Sequence, residues 1–319
     1  MNKVCAVLLS LGLSAALVGC ATTDNVEAKM DSMATKGPVP VTGSLDHEAM
    51  LQSDDPQLAA NKRLVYDMWR TLLDARDVDA ARKYLAPDYI QHNPMVDTGR
   101  ESILSMVASF GSAEPIQDRV KADIVAIVAE RDLVALIQVS PRNEPHPYTT
   151  TWFDLFRVED GKITEHWDPA ALPPGMTPAN YVPTKVNPNY QQSLARNAPE
   201  LRKNKKRVYD MWRTLLDAQQ VSEAPKYLAL DYIQHNPMAN TGLHGFMSFF
   251  EQFAQPKQVE PEVKNFIEMI AEDDLVVLAT VSTRKDSNGN PYNTTWFDMF
   301  RVDGRKMTEH WDSATIPVQ

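Results

Sequence analysis

Leu64, Val65, Met68, Trp69, Leu72 and Leu73 recur at helical spacing with charged residues between them, which predicts an amphipathic helix. Ala80 to Leu85 suggests a second helix, stopped at Pro87. Tyr89–Ile90–Gln91–His92 reads as a short extended segment, since the residue before Pro94 is biased away from helix. After Gly99 a further amphipathic helix carries Ile103, Val107 and Phe110 on one side. The period then changes. Val120 to Ala129, Leu133 to Val139, Thr149 to Val158 and Ile163 to Asp168 are β-branched or alternating, and Glu159–Asp160–Gly161 marks a hairpin turn. Helices first and an antiparallel sheet after predict an α+β domain.

The whole pattern then returns. Tyr66–Asp67–Met68–Trp69–Arg70–Thr71–Leu72–Leu73–Asp74 reappears as Tyr209–Asp210–Met211–Trp212–Arg213–Thr214–Leu215–Leu216–Asp217. Tyr89–Ile90–Gln91–His92–Asn93–Pro94 reappears as Tyr232–Ile233–Gln234–His235–Asn236–Pro237, and Thr164–Glu165–His166–Trp167–Asp168 as Thr308–Glu309–His310–Trp311–Asp312. The offset is 235 − 92 = 143 at the first histidine and 310 − 166 = 144 at the second. A shift of this length fits two copies of a whole domain rather than a solenoid repeat. Copy one is expected over 61–170 and copy two over 204–319, joined by a proline-rich, extended connector over 171–203.

Ahead of the copies, Lys3 and the apolar stretch Val4 to Val18 form a processing signal, expected over 1–19. Leu17–Val18–Gly19–Cys20 resembles the lipobox of bacterial lipoproteins, which implies lipidation of Cys20 and anchoring to a membrane of the cell envelope. Ala21 in place of aspartate favours, by resemblance to enterobacterial sorting, the outer membrane facing the periplasm. Residues 20–60 have no regular apolar period and read as a flexible tether. The only cysteines are Cys5 and Cys20, so thiol catalysis by the mature domains is excluded. A net charge of −10 without a basic cluster argues against nucleic acid as a partner.

His-Asn-Pro after the second helix, Asp-x-Phe-Arg-Val at Asp154 to Val158, and Ile-Thr-Glu-His-Trp-Asp at Ile163 to Asp168 resemble SnoaL-like domains of the nuclear transport factor 2-like superfamily. The resemblance covers both copies and implies two tandem cone-shaped domains, each a curved antiparallel sheet wrapped around N-terminal helices with a pocket at the wide end. It also implies that the copies pack sheet to sheet as an intrachain pseudo-dimer. The acidic residue that polyketide cyclases of this family carry beyond the terminal Trp is missing: Pro169–Ala170–Ala171 and Ser313–Ala314–Thr315 stand there.

Strand alternation places Thr164, His166 and Asp168 on one face, an imidazole beside a carboxylate. His166 with Asp168, and His310 with Asp312, are therefore either acid/base pairs or structural pairs whose aspartate caps backbone; adjacency does not separate the two. His92 and His235 are expected, by the resemblance, at the pocket mouth and pointing inward, where a second imidazole would polarise a substrate oxygen; the alternative is a bonded structural histidine on a short edge segment. Trp152 and Asp154, with Trp296 and Asp298, share strand faces with phenylalanines, where an inward aspartate is desolvated or else pairs with Arg157 or a neighbouring strand. Tyr89 and Tyr232 belong to the same expected substrate-binding set. Two histidines and an aspartate are a possible metal set, but no HxH, HExxH or CxxC spacing supports one. Neither a Gly-rich phosphate loop nor a dinucleotide fingerprint is present, so no cofactor is expected.

The resulting expectation is cofactor-free proton transfer on a small hydrophobic carbonyl compound, by aldol or cyclisation, isomerisation or dehydration chemistry. The alternative is an envelope lipoprotein that binds a hydrophobic ligand or a partner protein without turnover.

Overall fold

The computed structural model describes residues 36–195 and 198–317. The leader and Cys20 lie outside the described residues. In domain 1 a long helix, Pro56–Trp69, starts where Asp55 caps the Gln57 N–H and Pro56 occupies the first turn, where a missing N–H costs nothing. Beyond Trp69 the helix widens over Arg70–Asp74, and the Ala75 N–H reaches the Arg70 carbonyl at 3.1 Å. Domain 2 repeats both features, with a helix Pro199–Met211 and a widened stretch Trp212–Asp217. Such wide turns are frequent at functional sites.

Among the described residues each domain carries one five-stranded sheet. Domain 1 supplies β1 Leu85–Gln91, β2 Ile124–Glu130, β3 Leu133–Arg142, β4 Tyr148–Glu159 and β5 Lys162–Trp167, in the order β1-β5-β4-β3-β2. Domain 2 supplies β6 Leu228–Gln234, β7 Phe266–Glu272, β8 Leu275–Lys285, β9 Pro291–Asp303 and β10 Lys306–Asp312, in the order β6-β10-β9-β8-β7. β2 to β5 are antiparallel, but β1 runs parallel to β5 with Gln91 opposite His166. The expected antiparallel sheet is thus mixed at this edge. Each domain is α+β.

Both faces of each sheet are apolar and covered. On one face Val134, Leu136 and Phe156 pack with Val65, Leu72 and Val107 of the helices. On the other, Ala135, Ile137, Phe153 and Leu155 meet Val277, Ala279, Phe297 and Met299 of the second sheet. The rings of Phe153 and Phe297 stack at 5.5 Å and 5°. This explains why Leu133 to Ile137 is an unbroken apolar run rather than an alternation.

Polar groups cross the same interface in matched pairs. Lys205 on the domain 2 helix reaches Glu130 at the end of β2 (2.8 Å), and Lys62 reaches Glu272 at the end of β7 (2.6 Å). Glu130 also accepts the Ala271 N–H at 2.7 Å, and Glu272 the Ala129 N–H at 2.8 Å. Thr150 donates to the Ala314 carbonyl and Thr294 to the Ala170 carbonyl.

The segments expected to be a tether and a connector are structured within the described residues. Residues 36–60 contain the helix His47–Met50 and the start of the long helix. Residues 171–203 contain the helix Tyr190–Ala195 and the start of Pro199–Met211. Each segment also forms a strap. The Val182 N–H bonds to Gln91 of domain 1 before the chain crosses to Phe266 of domain 2. The Val39 N–H bonds to Gln234 of domain 2 before the chain crosses to Ile124 of domain 1. Val39 and Val182 are 182 − 39 = 143 positions apart, so the duplicated unit is longer than its matching words suggest. Backbone bonds hold these straps, joined by side-chain bonds such as that of the Tyr181 hydroxyl to the Asn293 carbonyl.

Lys205→Met leaves Glu130 charged and buried without its partner. Urea unfolding is expected to show a loss of about 3–5 kcal/mol. Lys205→Met combined with Glu130→Gln keeps an acceptor for Ala271 and should regain most of that loss. Equal destabilisation in both variants would show that the ion pair does not hold the interface.

Candidate functional site

In each domain the inward face of three adjacent strands gathers one imidazole and two carboxyls. β5 supplies His166, with Asp168 just past its end; β4 supplies Asp154, and β1 supplies Gln91. His166 Nε2 lies 3.0 Å from Asp154 Oδ1, and Nδ1 lies 3.0 Å from Gln91 Oε1. That Gln91 oxygen already accepts the Asn93 N–H, so Nδ1 must carry a proton and donate to it. The carboxylate expected to partner His166 stands further off: Asp168 Oδ2 is 4.0 Å from Nε2. Asp168 instead accepts the Asn93 side-chain amide at 2.7 Å and caps the Ala170 N–H at 3.0 Å. Asp154, not Asp168, is the principal partner, because β4 and β5 are neighbours and the register sets Phe156 against His166. Arg157 turns outward to Asp132 and Glu165.

Domain 2 repeats the arrangement. His310 Nε2 lies 2.9 Å from Asp298 Oδ1, and Nδ1 donates to Gln234 Oε1 at 2.9 Å. Asn236 holds Asp312 at 2.7 Å, and Asp312 caps the Ala314 N–H. One partner differs. In domain 1 Gln138 on β3 donates to Asp154 Oδ2 at 3.2 Å. Thr280 occupies the equivalent place on β8, opposite Trp296 as Gln138 is opposite Trp152. Asp298 Oδ2 accepts no hydrogen bond of normal geometry from the described residues, although the residue is 4% exposed and the Trp296 indole lies beside the carboxyl.

The electrostatics of the two copies diverge accordingly. Burial pulls His166 down, but the bond to Asp154 and the charges of Asp168 and Asp154 outweigh it and hold the imidazole above its ordinary value. In domain 2 burial pushes His310 down to about 4 and Asp298 well above the carboxylate range. Burial raises Asp312 as well. Burial raises Asp154 too, against the lowering pull of His166, while Asp298 is raised further with little to oppose it. The surroundings thus favour the protonated imidazole more in domain 1 and the neutral imidazole beside a carboxylic acid in domain 2.

His92 and His235 do not point inward. His92 lies on the opposite sheet face, stacked on Trp167 at 4.9 Å. Its Nε2 meets Glu165 at 2.9 Å, and its Nδ1 donates to the Val182 carbonyl of the strap. His235 stacks on Trp311, meets Glu309 and bonds to the Val39 carbonyl of the other strap at 2.8 Å. The parallel register of β1 with β5 puts Gln91, not His92, beside His166. Period-two alternation does the rest. Gln91, Asn93, Gln234 and Asn236 are the site residues that a reading for acid/base groups passes over; they share strand parity with Tyr89 and Tyr232, which was the available signal.

Tyr89 and Tyr232 are buried, and their hydroxyls are held far from ionisation by burial and by the nearby aspartates. In domain 2 a cavity of about 250 Å³ opens over the cluster. Trp212, Tyr232, Phe246, Trp296, Asp298 and His310 are among its lining residues, and its walls are mainly apolar. A more open groove of about 480 Å³ lies where the N-terminal strap crosses between the domains, but His235 at its edge has both ring nitrogens engaged.

Asp154, His166 and Asp168, and likewise Asp298, His310 and Asp312, have possible ligand atoms within 4.8 Å of one another. The fit to a cation is poor in bonding terms. His310 Nε2 faces Asp298, and both Asp312 oxygens hold N–H donors, so a metal would have to displace these bonds.

The SnoaL-like domain model matches residues 66–166 and 206–310, and the chain belongs to that family. A putative polyketide cyclase from Acidithiobacillus ferrooxidans is similar at 20% identity, covering 34% of this chain and 86% of that one, with a TM-score of 0.28. An LEH-like epoxide hydrolase from M. tuberculosis is similar at 21% identity, covering 35% and 84%, with a TM-score of 0.27. A putative polyketide cyclase from Xanthomonas campestris pv. campestris stands at 20% identity, 35% and 90% coverage and a TM-score of 0.26. Comparison with curated proteins gives no match.

The two imidazoles should titrate in opposite senses from their ordinary value of 6.5. His310 has a depressed folded value, so the stability it supports is present above 6.5 and is lost as pH falls toward about 4. His166 has a raised one, so its contribution is present below 6.5 and is lost as pH rises through that raised value. NMR of the ring protons, assigned with His166→Gln and His310→Gln, should show His166 still protonated where His310 is already neutral. Coincident titration would refute the divergence of the sites.

Proposed function

We propose that this protein is a cofactor-free acid/base enzyme that moves a proton on a small, mostly apolar carbonyl compound held in the domain 2 cavity. One observation carries the reading: a buried imidazole–carboxyl pair, His310 with Asp298, lies in the wall of a cavity whose lining is otherwise mainly aromatic and aliphatic. Enzymes obtain working acids and bases by placing such pairs away from water, where their proton affinities are displaced. At about 250 Å³ the cavity falls just below the roughly 300–1,000 Å³ of drug-sized ligand sites, which suits a one- or two-ring compound. Trp212, Trp296 and Phe246 would grip its apolar surface, and the Asp298–His310–Asp312 cluster would take and return the proton.

The rival reading is capture of a hydrophobic ligand without turnover. It draws on the engagement of both His310 ring nitrogens. A thermal-shift screen of the soluble form against hydrophobic ketones, lactones and steroids should find a stabilising compound. His310→Gln is then expected to leave affinity within about threefold while turnover falls by 10²-fold or more, as for loss of a general acid/base. Loss of affinity with no turnover in the parent protein would favour the binder.

The lipobox-like Leu17 to Cys20 supports placing the protein at a bacterial cell envelope, lipid-anchored through Cys20. Cys20→Ala should move it from the membrane to the soluble fraction; an unchanged membrane fraction would exclude that anchor.

A further inference from the structure

The duplicated clusters match in their geometry except at one atom. In domain 1 the second oxygen of Asp154 is occupied by the Gln138 amide at 3.2 Å. In domain 2 the second oxygen of Asp298 is buried and accepts no hydrogen bond of normal geometry from the described residues, with the Trp296 indole beside the carboxyl, and Asp298 lines the cavity. An orphaned buried acceptor is costly and is expected where a ligand completes it. The wall facing it also differs between copies. Ile103, Met106 and Val107 of the domain 1 helix Arg100–Ala108 are replaced by Phe246, Phe249 and Phe250 in the helix Leu243–Glu251 (246 − 103 = 143). Those three phenylalanines line the cavity, and Phe246 and Phe250 approach at 4.5 Å.

We propose that the copies have divided their roles: Asp298 Oδ2 is the atom that takes the proton from a ligand in domain 2, while Gln138 occupies that same position in domain 1 and makes it a structural copy. The residue at 138 and 280 is the determinant. The inference rests on the reading of the domain 2 cavity as a ligand site, and goes beyond it by assigning the contact atom, the active copy and the ligand's required group. Because Gln234 fixes the proton on His310 Nδ1, Nε2 is free to accept from Asp298 Oδ1. As a proton leaves the ligand for Oδ2, the proton on Oδ1 passes to Nε2. Asp298 stays a neutral acid, His310 becomes an imidazolium held by Gln234, and the ligand is left as its conjugate anion. The ligand must then present a donor to Oδ2: a hydroxyl, or an acidic C–H beside a carbonyl, on an apolar ring.

The test uses 2-naphthol, an apolar bicycle with one O–H donor, and 2-methoxynaphthalene, which lacks the donor, titrated by fluorescence and calorimetry. The protein should bind 2-naphthol at one site per chain and about tenfold more tightly than the ether, the value of one hydrogen bond. Thr280→Gln, which imports the domain 1 amide, should erase that preference. Asp298→Leu, which removes the acceptor altogether, should do the same, and serves if Thr280→Gln fails to fold. Gln138→Thr should leave 2-naphthol binding at domain 2 unchanged. Two equal sites per chain, or a preference that survives both Thr280→Gln and Asp298→Leu, would overturn the division while leaving the cavity a ligand site. Binding of neither compound would overturn the cavity reading itself, and this inference with it.

Discussion

The structure depends on one constraint: the central strands of each sheet must be dry on both sides. Leu133 to Ile137 are buried along their whole length, so a lone domain would leave Phe153, Leu155 and Trp167 in water. The second copy supplies the missing cover, and the stacked Phe153 and Phe297 mark the centre of it. Once the outer faces are committed to each other, only the inner faces remain for helices and for chemistry. The buried ion pairs of Lys62 and Lys205 then fix how the copies sit, since each lysine finds its carboxylate only in the other domain.

Within that frame the site is a matter of what the inner face can tolerate. An imidazole and two carboxyls out of water are sustained by a ring of neutral donors and acceptors, Gln91 and Asn93 or Gln234 and Asn236, which fix tautomer and orientation. Such a network responds sharply to a single missing partner. Having threonine on β8 where β3 has glutamine removes one amide from the aspartate's surroundings. The two clusters therefore differ in how far their imidazoles are displaced from an ordinary value.

The α+β class, the tandem organisation and the strand parities were legible because they are local. Trp152, Asp154 and Phe156 share a face by alternation alone, as do His166 and Asp168. Strand neighbours were not legible. That His166 faces Asp154 follows from the pairing of β4 with β5, and that His92 is turned to the strap follows from a parallel β1, neither of which a period of two can decide. Nor could polarity choose a side, since the outer face is as apolar as the inner one. The straps escaped notice because they hold on largely through peptide groups, which any sequence provides.

Those straps also bear on how the chain reaches its native state. Val39 bonds to His235 across 196 positions, so the bracket on domain 2 joins the beginning of the described chain to its far half. The entropy of closing such a loop grows only logarithmically, so the equilibrium cost is modest, about 0.6 kcal/mol per doubling of length. The kinetic cost is different in kind, because contacts of long separation form late. The finished molecule is bound by an exchange in which each half wears a piece that belongs in sequence to the other.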